Sequence, residues 1–304
     1  MVTGAVINTI LDPIFIFVFK WGVQGAAIAT IFSQFITFII NGIYIKKFKT
    51  VNITKDIIVP KFKFIVEILK LGISSFITQM SIVLVIATEN NLLVKYGAIS
   101  KYGTDIPITV LGIVMKISQI LNSVIIGVAV GAQPIFGYNY GAKNYVRVKS
   151  TLKYVLIIST VISTIAFILF QTIPNKLISI FGNGDELYIE FACYAFRVYL
   201  MLYICYGVQI PSGIFFQAIG KATRSVILSI SRQVAFLIPT MIAFGALFGL
   251  DGLLYSGPFA DGLSFILAVI LIVFEIKKLN KQSKEKYYLN GETEVETIEK
   301  SREV

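Results

Sequence analysis

Apolar residues along the chain gather into eight long runs separated by short polar stretches. Each run approaches the roughly 20 residues that carry an α-helix across a bilayer. The runs lie at about 3–20, 24–45, 66–94, 106–129, 151–173, 188–215, 223–248 and 251–276. The pattern therefore predicts an all-α integral membrane protein with about eight transmembrane helices. The longest polar interval among them, "KKFKTVNITKDIIVPKFK" at 46–63, marks a boundary between lobes. The expected organisation is two helices in 1–45, a linker at 46–63 and a six-helix lobe in 64–280. Residues 281–304, "KQSKEKYYLNGETEVETIEKSREV", have a composition that buries little apolar surface and read as a disordered tail.

Composition strengthens the membrane reading. Of 304 residues, 56% are hydrophobic and 14% charged, and the mean hydropathy is +0.80, which excludes an ordinary water-soluble domain of this size. The net charge of +10 does not point to nucleic acid, because the basic residues form no continuous face. They fall in blocks at 46–63, 143–153, 221–224 and 277–286, whereas the alternate connections hold only Lys20, Lys95, Lys101 and Lys176. By the positive-inside rule the basic connections, the linker, the tail and both termini are cytoplasmic. The N-terminal run has no basic lead and contains Asp12, so it reads as a mature helix rather than a cleavable signal.

The absence of histidine excludes His-based metal sites and proton relays. Cys193 and Cys205 would lie about 18 Å apart along one helix, too far to bridge. No phosphate-cradling loop, HExxH or GxSxG occurs, so no catalytic residue, enzymatic activity or cofactor is expected.

Ionisable groups inside spans are costly and mark the places to look for function. Asn8 lies one helical turn before Asp12, so amide and carboxylate share a face and could hold a sodium ion or share a proton. The alternative is an acid near a helix end satisfied by water and Asn8. No other metal site is indicated. Lys116, Arg197 and Asp261 each fall about ten residues into a span, with Glu89 nearer an outer end. These four are expected to form a buried polar network, either lining a cavity or pairing internally. Arg232, roughly two turns into its span, is expected to snorkel.

The segment "GAQPIFGYNYGAKN" at 131–144 is expected to follow the end of a helix. Gly127, Gly131, Gly137 and Gly141 would let helices approach closely, and Gln133, Asn139 and Tyr140 would satisfy freed carbonyls. The segment reads either as a gate or hinge built on Gln133, Gly137, Asn139 and Gly141, or as a packed helix end with an interfacial anchor. A repeat is also visible. "FKWGVQGAA" at 19–27 matches "LFGLDGLL" at 247–254, aligning Trp21, Gly22 and Gly25 with Phe248, Gly249 and Gly252, with Pro13 and Pro239 at nearly equal offsets. A repeat of that kind makes the chain look like the last two-thirds of a twelve-helix protein.

Four ordered segments resemble the multidrug and toxic compound extrusion (MATE) family of cation-coupled antiporters. They are "INTILDPIFIF" with "GVQGAAIATIFSQ", "GAQPIFGYNYGAKNYVRVK", "PSGIFFQAIGKATRS" and "SRQVAFLIP". The resemblance covers residues 1–280 and implies helices five to twelve of a twelve-helix, two-lobe fold. Residues 1–45 would then be the last two helices of the N-terminal lobe and 64–280 the C-terminal lobe. It further implies secondary active efflux of organic, often cationic, compounds in exchange for Na+ or H+. In the family an Asn and an Asp of this first helix contribute to the coupling site, together with a carboxylate of the family's own first helix, and the matching residues are Asn8 and Asp12. The implied partners are small organic substrates, membrane lipid and the missing N-terminal segment, and the implied location is the plasma membrane. Two rival readings are a truncated, transport-inactive product and a lipid-linked oligosaccharide flippase of the same superfamily.

Overall fold

The computed structural model describes residues 2–46, 62–181 and 184–302, and all regular structure in them is helical. The linker expected at 46–63 lies outside the described residues apart from its ends. The chain divides into two compact units, Met1–Val66 and Glu67–Val304.

The first unit is a helical hairpin. Helix α1, Val2–Pro13, passes into a π-helical turn, Ile14–Val18, and α2 covers Gly22–Lys46. Pro13 has no N–H to donate, so it removes one bond of the α ladder. The chain widens at that point, with Phe19 N–H bonding Ile14 C=O at 3.0 Å across the π turn. Lys20 (φ 56°) and Gly22 (φ 54°) then turn it in the left-handed region. A Cβ at position 25 would lie 2.8 Å from Phe15 C=O, so glycine is what lets α2 start against α1. The rest of the seam is equally small, with Gly4, Ala29 and Ser33 buried.

The second unit contains α3 (Phe62–Gly97) from Glu67 onward, α4 (Asp105–Gly141), α5 (Tyr145–Thr172) and a short α6 (Pro174–Ser179). Helix α7 (Glu186–Tyr199) and the Tyr203–Ala218 segment, a 3-10 turn followed by α8 (Tyr206–Ala218), form one rod bent by 46°. Helix α9 (Ala222–Ile230) runs through a second π-helical stretch, Ser231–Leu237, into α10 (Ile238–Arg302). Gly249, at φ 62° and ψ −133°, breaks α10 in two. That backbone region is essentially reserved for glycine.

Counting bent rods once and dividing α10 at Gly249, the described residues hold the eight expected rods. Segments Gly22–Tyr44, Asp105–Gly141, Tyr145–Thr172 and Ala222–Ser283 are each long and apolar enough to cross a bilayer, as is the bent α7–α8 pair. Two cores fill the second unit. One centres on Phe170, Phe191, Phe196, Tyr203 and Leu254, the other on Phe136, Phe215, Phe216, Ile272 and Leu279. The abundant exposed Ile, Val and Phe side chains on the outer faces suit a lipid solvent.

Two boundaries differ from expectation. Helix α4 does not stop near 129 but continues to Gly141, because Pro134 and the interspersed glycines do not outweigh packing of Phe136 against Phe215, with ring centroids 5.1 Å apart. In place of the disordered tail expected from 281, the backbone remains helical to Arg302. That stretch is rich in helix-forming Glu and Lys, including Glu296 and Lys300 one turn apart.

Candidate functional site

In the first hairpin the predicted pair is formed. Asn8 Nδ2 donates to Asp12 Oδ1 at 3.1 Å, and also lies 3.4 Å from Thr30 Oγ1 on α2. Thr30 was not foreseen as a partner. A polar pocket of about 350 Å³ opens beside the pair, lined by Asn8, Thr30, Ser33, Gln34 and Thr37 with Gly4 and Ala5. The hydroxyl protons are already used within α2: Thr30 donates to Ala26 C=O, Ser33 to Thr30 C=O and Thr37 to Ser33 C=O. Their lone pairs are left as acceptors, so the pocket presents oxygen to a proton or a hard cation. Among the described residues Asp12 makes no ion pair.

The second unit treats its acids differently. Asp261 accepts from Arg232 Nε at 2.8 Å, and the Arg232 guanidinium also bonds the Tyr206 hydroxyl. The Arg232 guanidinium lies 4.8 Å from the centre of the Tyr206 ring. Arg232 therefore does not snorkel, because Asp261, 5% exposed, offers a partner between helices. Glu89 is buried and interacts with Tyr199 while feeling the charge of Arg232. Of the four-residue network expected, Asp261 is paired, with Arg232 and not with Lys116 or Arg197, while Glu89 is buried apart from that ion pair. Lys116 and Arg197 are exposed and make no ion pair among the described residues. Equal depth on separate helices did not put them on facing sides.

A second ionic cluster lies at the other end of this unit. Glu275, fully buried, receives both Lys221 and Arg224. Gly220 makes this possible: at φ 76° it closes α8 in a Schellman turn, with Lys221 N–H bonding Phe216 C=O at 2.8 Å and Gly220 N–H bonding Gln217 C=O at 3.1 Å. Lys221 leaves that turn with its ammonium 5.9 Å from the Tyr140 ring. Asp261 and Glu275 share one buried stripe of α10 with Ser264, Ala268, Ile272 and Leu279. That stripe was the sequence signal for Glu275, hidden by its nearness to Lys277 and Lys278.

The 131–144 segment forms the last turns of α4, to Gly141, and the turn that follows. Phe136, Gly137 and Tyr140 face the end of α8, where a Cβ on Gly137 would sit 3.5 Å from Ala218 C=O. Gly127, Gly131 and Gly141 meet nothing at that range, so of the four glycines only Gly137 marks an approach between helices. A tighter approach between helices is at Gly207, where a Cβ would lie 2.6 Å from Thr160 Cα. Asn139 Nδ2 donates to Ile135 C=O at 2.8 Å within α4, and Gln133 is half-buried. The helix ends in its own Schellman turn, with Lys143, not glycine, in the left-handed position, Asn144 N–H bonding Asn139 C=O at 2.8 Å and Lys143 N–H bonding Tyr140 C=O at 3.0 Å. Asn144 Oδ1 then caps α5 through Arg147 N–H at 3.3 Å. Both cysteines are free.

Membrane-length helical rods with acids and cations engaged between them define a multi-pass integral membrane protein. A family model described as MatE matches residues 93–242. The multidrug export protein MepA of Staphylococcus aureus strain N315 is 29% identical over 280 residues, which cover 91% of this chain and 59% of that protein. MepA of Staphylococcus saprophyticus is 28% identical over the same shares. Among solved structures, the outward-facing conformation of a multidrug resistance MATE family transporter of the MOP superfamily matches with a TM-score of 0.80 at 23% identity. That match covers 92% of this chain and 62% of the other. A MOP superfamily transporter from Pyrococcus furiosus matches with a TM-score of 0.79 at 22% identity over the same shares. The chain is thus similar to MATE proteins in sequence over residues 93–242 and in fold along most of its length. It spans about 59% of the length of the relatives it matches.

Proposed function

We propose that the chain acts in a MATE-type secondary transporter that exports organic, often cationic, compounds in exchange for Na+ or H+ across the plasma membrane. The observation that carries this reading is the Asn8–Asp12–Thr30 cluster, in which the Asn8 amide bonds the Asp12 carboxylate, reaches the Thr30 hydroxyl and lines a pocket with Thr30, Ser33 and Thr37. A carboxylate in that setting exchanges a proton for a hard cation without moving its helices far, since both ligands use the same oxygens. The relatives named as multidrug export proteins support the cargo class. The distribution of Lys and Arg supports cytoplasmic termini.

The test is ion-driven dye export from an efflux-deficient host expressing the chain and its Asp12→Asn variant at matched membrane levels. Export that the substitution abolishes supports the assignment. Export at the unsubstituted rate in Asp12→Asn removes Asp12 from the mechanism, and no export from either favours the transport-inactive reading.

A further inference from the structure

Helix α5 carries charge at one end and a groove along its outer face. Its 28 residues include Arg147, Lys149 and Lys153 near the start and no Asp or Glu. Beyond the lysines a groove of about 410 Å³ is lined by Leu156, Ile157, Thr160, Val161, Thr164 and Ile165. Helical spacing sets Lys149, Thr160 and Thr164 within about 40° of the line through Lys153, with Arg147 turned about 120° away. Packing explains the groove. Gly207 draws α8 onto one flank of α5, where Ser159 and Ser163 are buried, and Ile157, Val161 and Ile165 stay exposed. Thr164 donates its hydroxyl to Thr160 C=O at 2.7 Å, so its polar hydrogen is spent on the backbone.

Neither lysine has a counter-charge. Lys153 is exposed and Lys149 half-buried, and neither forms an ion pair among the described residues. Lys149 donates to Asn280 Oδ1 at 2.5 Å, a neutral partner that leaves two ammonium protons unused. Measured from Lys153, the groove extends from about 5 to about 18 Å along the helix axis. That is close to the depth of one leaflet, half of a hydrocarbon core about 30 Å thick. A cationic head end on an apolar track of one leaflet's depth fits an anionic phospholipid. It does not fit a second copy of the chain: a two-fold contact through this face, with its axis along the membrane normal, would set the same uncompensated lysines opposite one another.

We propose that this stripe of α5 is a specific site for one anionic glycerophospholipid, with Lys149 and Lys153 holding the phosphodiester and one acyl chain lying along Ile157, Thr160, Val161 and Thr164. The site lies outside the Asn8–Asp12 pair and fills without an ion gradient, so it stands or falls independently of the coupling assignment.

The probe is phosphatidylglycerol, titrated into the detergent-purified chain and counted by native mass spectrometry against phosphatidylcholine with the same acyl chains. The first bound phosphatidylglycerol should be held at least tenfold more tightly, since each lysine near a membrane surface contributes a factor of about five. Lys149→Gln combined with Lys153→Gln should remove most of that preference. Arg147→Gln, the same change of charge off the stripe, should leave it within twofold. Val161→Trp, at a side chain 53% exposed, should fill the groove without disturbing the core and weaken both lipids several-fold. Inorganic phosphate in large excess should leave the lipid bound. Equal binding of the two lipids would show an indifferent apolar groove and overturn the proposal. So would a loss in Arg147→Gln as large as in the double lysine variant, undiminished binding in Val161→Trp, or displacement by phosphate. A dimer that Val161→Trp abolishes and the lipid does not displace would assign the face to a second copy and overturn it as well.

Discussion

Two hairpins of this chain share a plan and use it differently. The first, Val2–Lys46, and the last, from Ala222 through the break at Gly249, each place a π-helical stretch beside an ionisable residue and then turn at a left-handed glycine. Each next sets a glycine against the carbonyl of a preceding phenylalanine: Gly25 faces Phe15 C=O and Gly252 faces Phe244 C=O. The sequence match between 19–27 and 247–254 is therefore accompanied by a shared positive-φ glycine and a shared close approach to a phenylalanine carbonyl. The ionisable groups part company. In the last hairpin Arg232 and Asp261 are locked together in an ion pair, whereas in the first the carboxylate of Asp12 accepts from the amide of Asn8, which lines an open pocket. One scaffold thus yields a structural tie where a counter-charge is built in, and an exchangeable site where it is not.

The largest break of this contrast comes from removing the built-in charge. Arg232→Met should leave Asp261 buried without its cation and cost about 3–5 kcal/mol, lowering the thermal midpoint of the purified protein, while adding Asp261→Leu to it should restore a good part. A smaller loss, about 2–3 kcal/mol, is expected from Glu275→Gln. Lys221 and Arg224 are partly exposed and can turn to water, but each loses a charge-assisted bond. Thermal unfolding followed by circular dichroism measures both.

The glycine correspondence sharpens the comparison next. Gly22→Ala forces a side chain into a left-handed position and should cost about 1–2 kcal/mol, and Gly249→Ala, in a region essentially reserved for glycine, should cost at least as much. A free substitution at Gly22 would reduce the likeness to one of sequence alone. The smallest stability effect belongs to Asp12→Asn, about 0.5 kcal/mol or less, because a half-buried carboxylate with no counter-charge contributes little to the fold.

The helical rods were legible because each lies in a largely apolar run, and the Asn8–Asp12 pair because helical spacing alone places position i over i+4. What was hidden depends on which faces of different helices meet. Thr30 reaches Asn8 from 22 residues away, and Arg232 finds Asp261 from 29 residues away. Depth within a span could not distinguish Arg232 from Lys116 or Arg197, since it fixes height and not azimuth. The end of α4 was placed too early for a related reason: the polar residues of 131–144 suggested that the helix stopped near 129, yet Phe136 and Tyr140 extend it against α8 and Lys221.

The contrast between an exchangeable and a locked carboxylate is most directly tested by infrared difference spectroscopy of the chain in lipid, recorded on stepping pH or adding Na+. A carboxyl band should appear or vanish with the step, be absent in Asp12→Asn, and persist in Asp261→Asn held below its lowered unfolding temperature. A band that survives Asp12→Asn, or that disappears in folded Asp261→Asn, would place the exchanging carboxylate in the last hairpin and contradict the assignment.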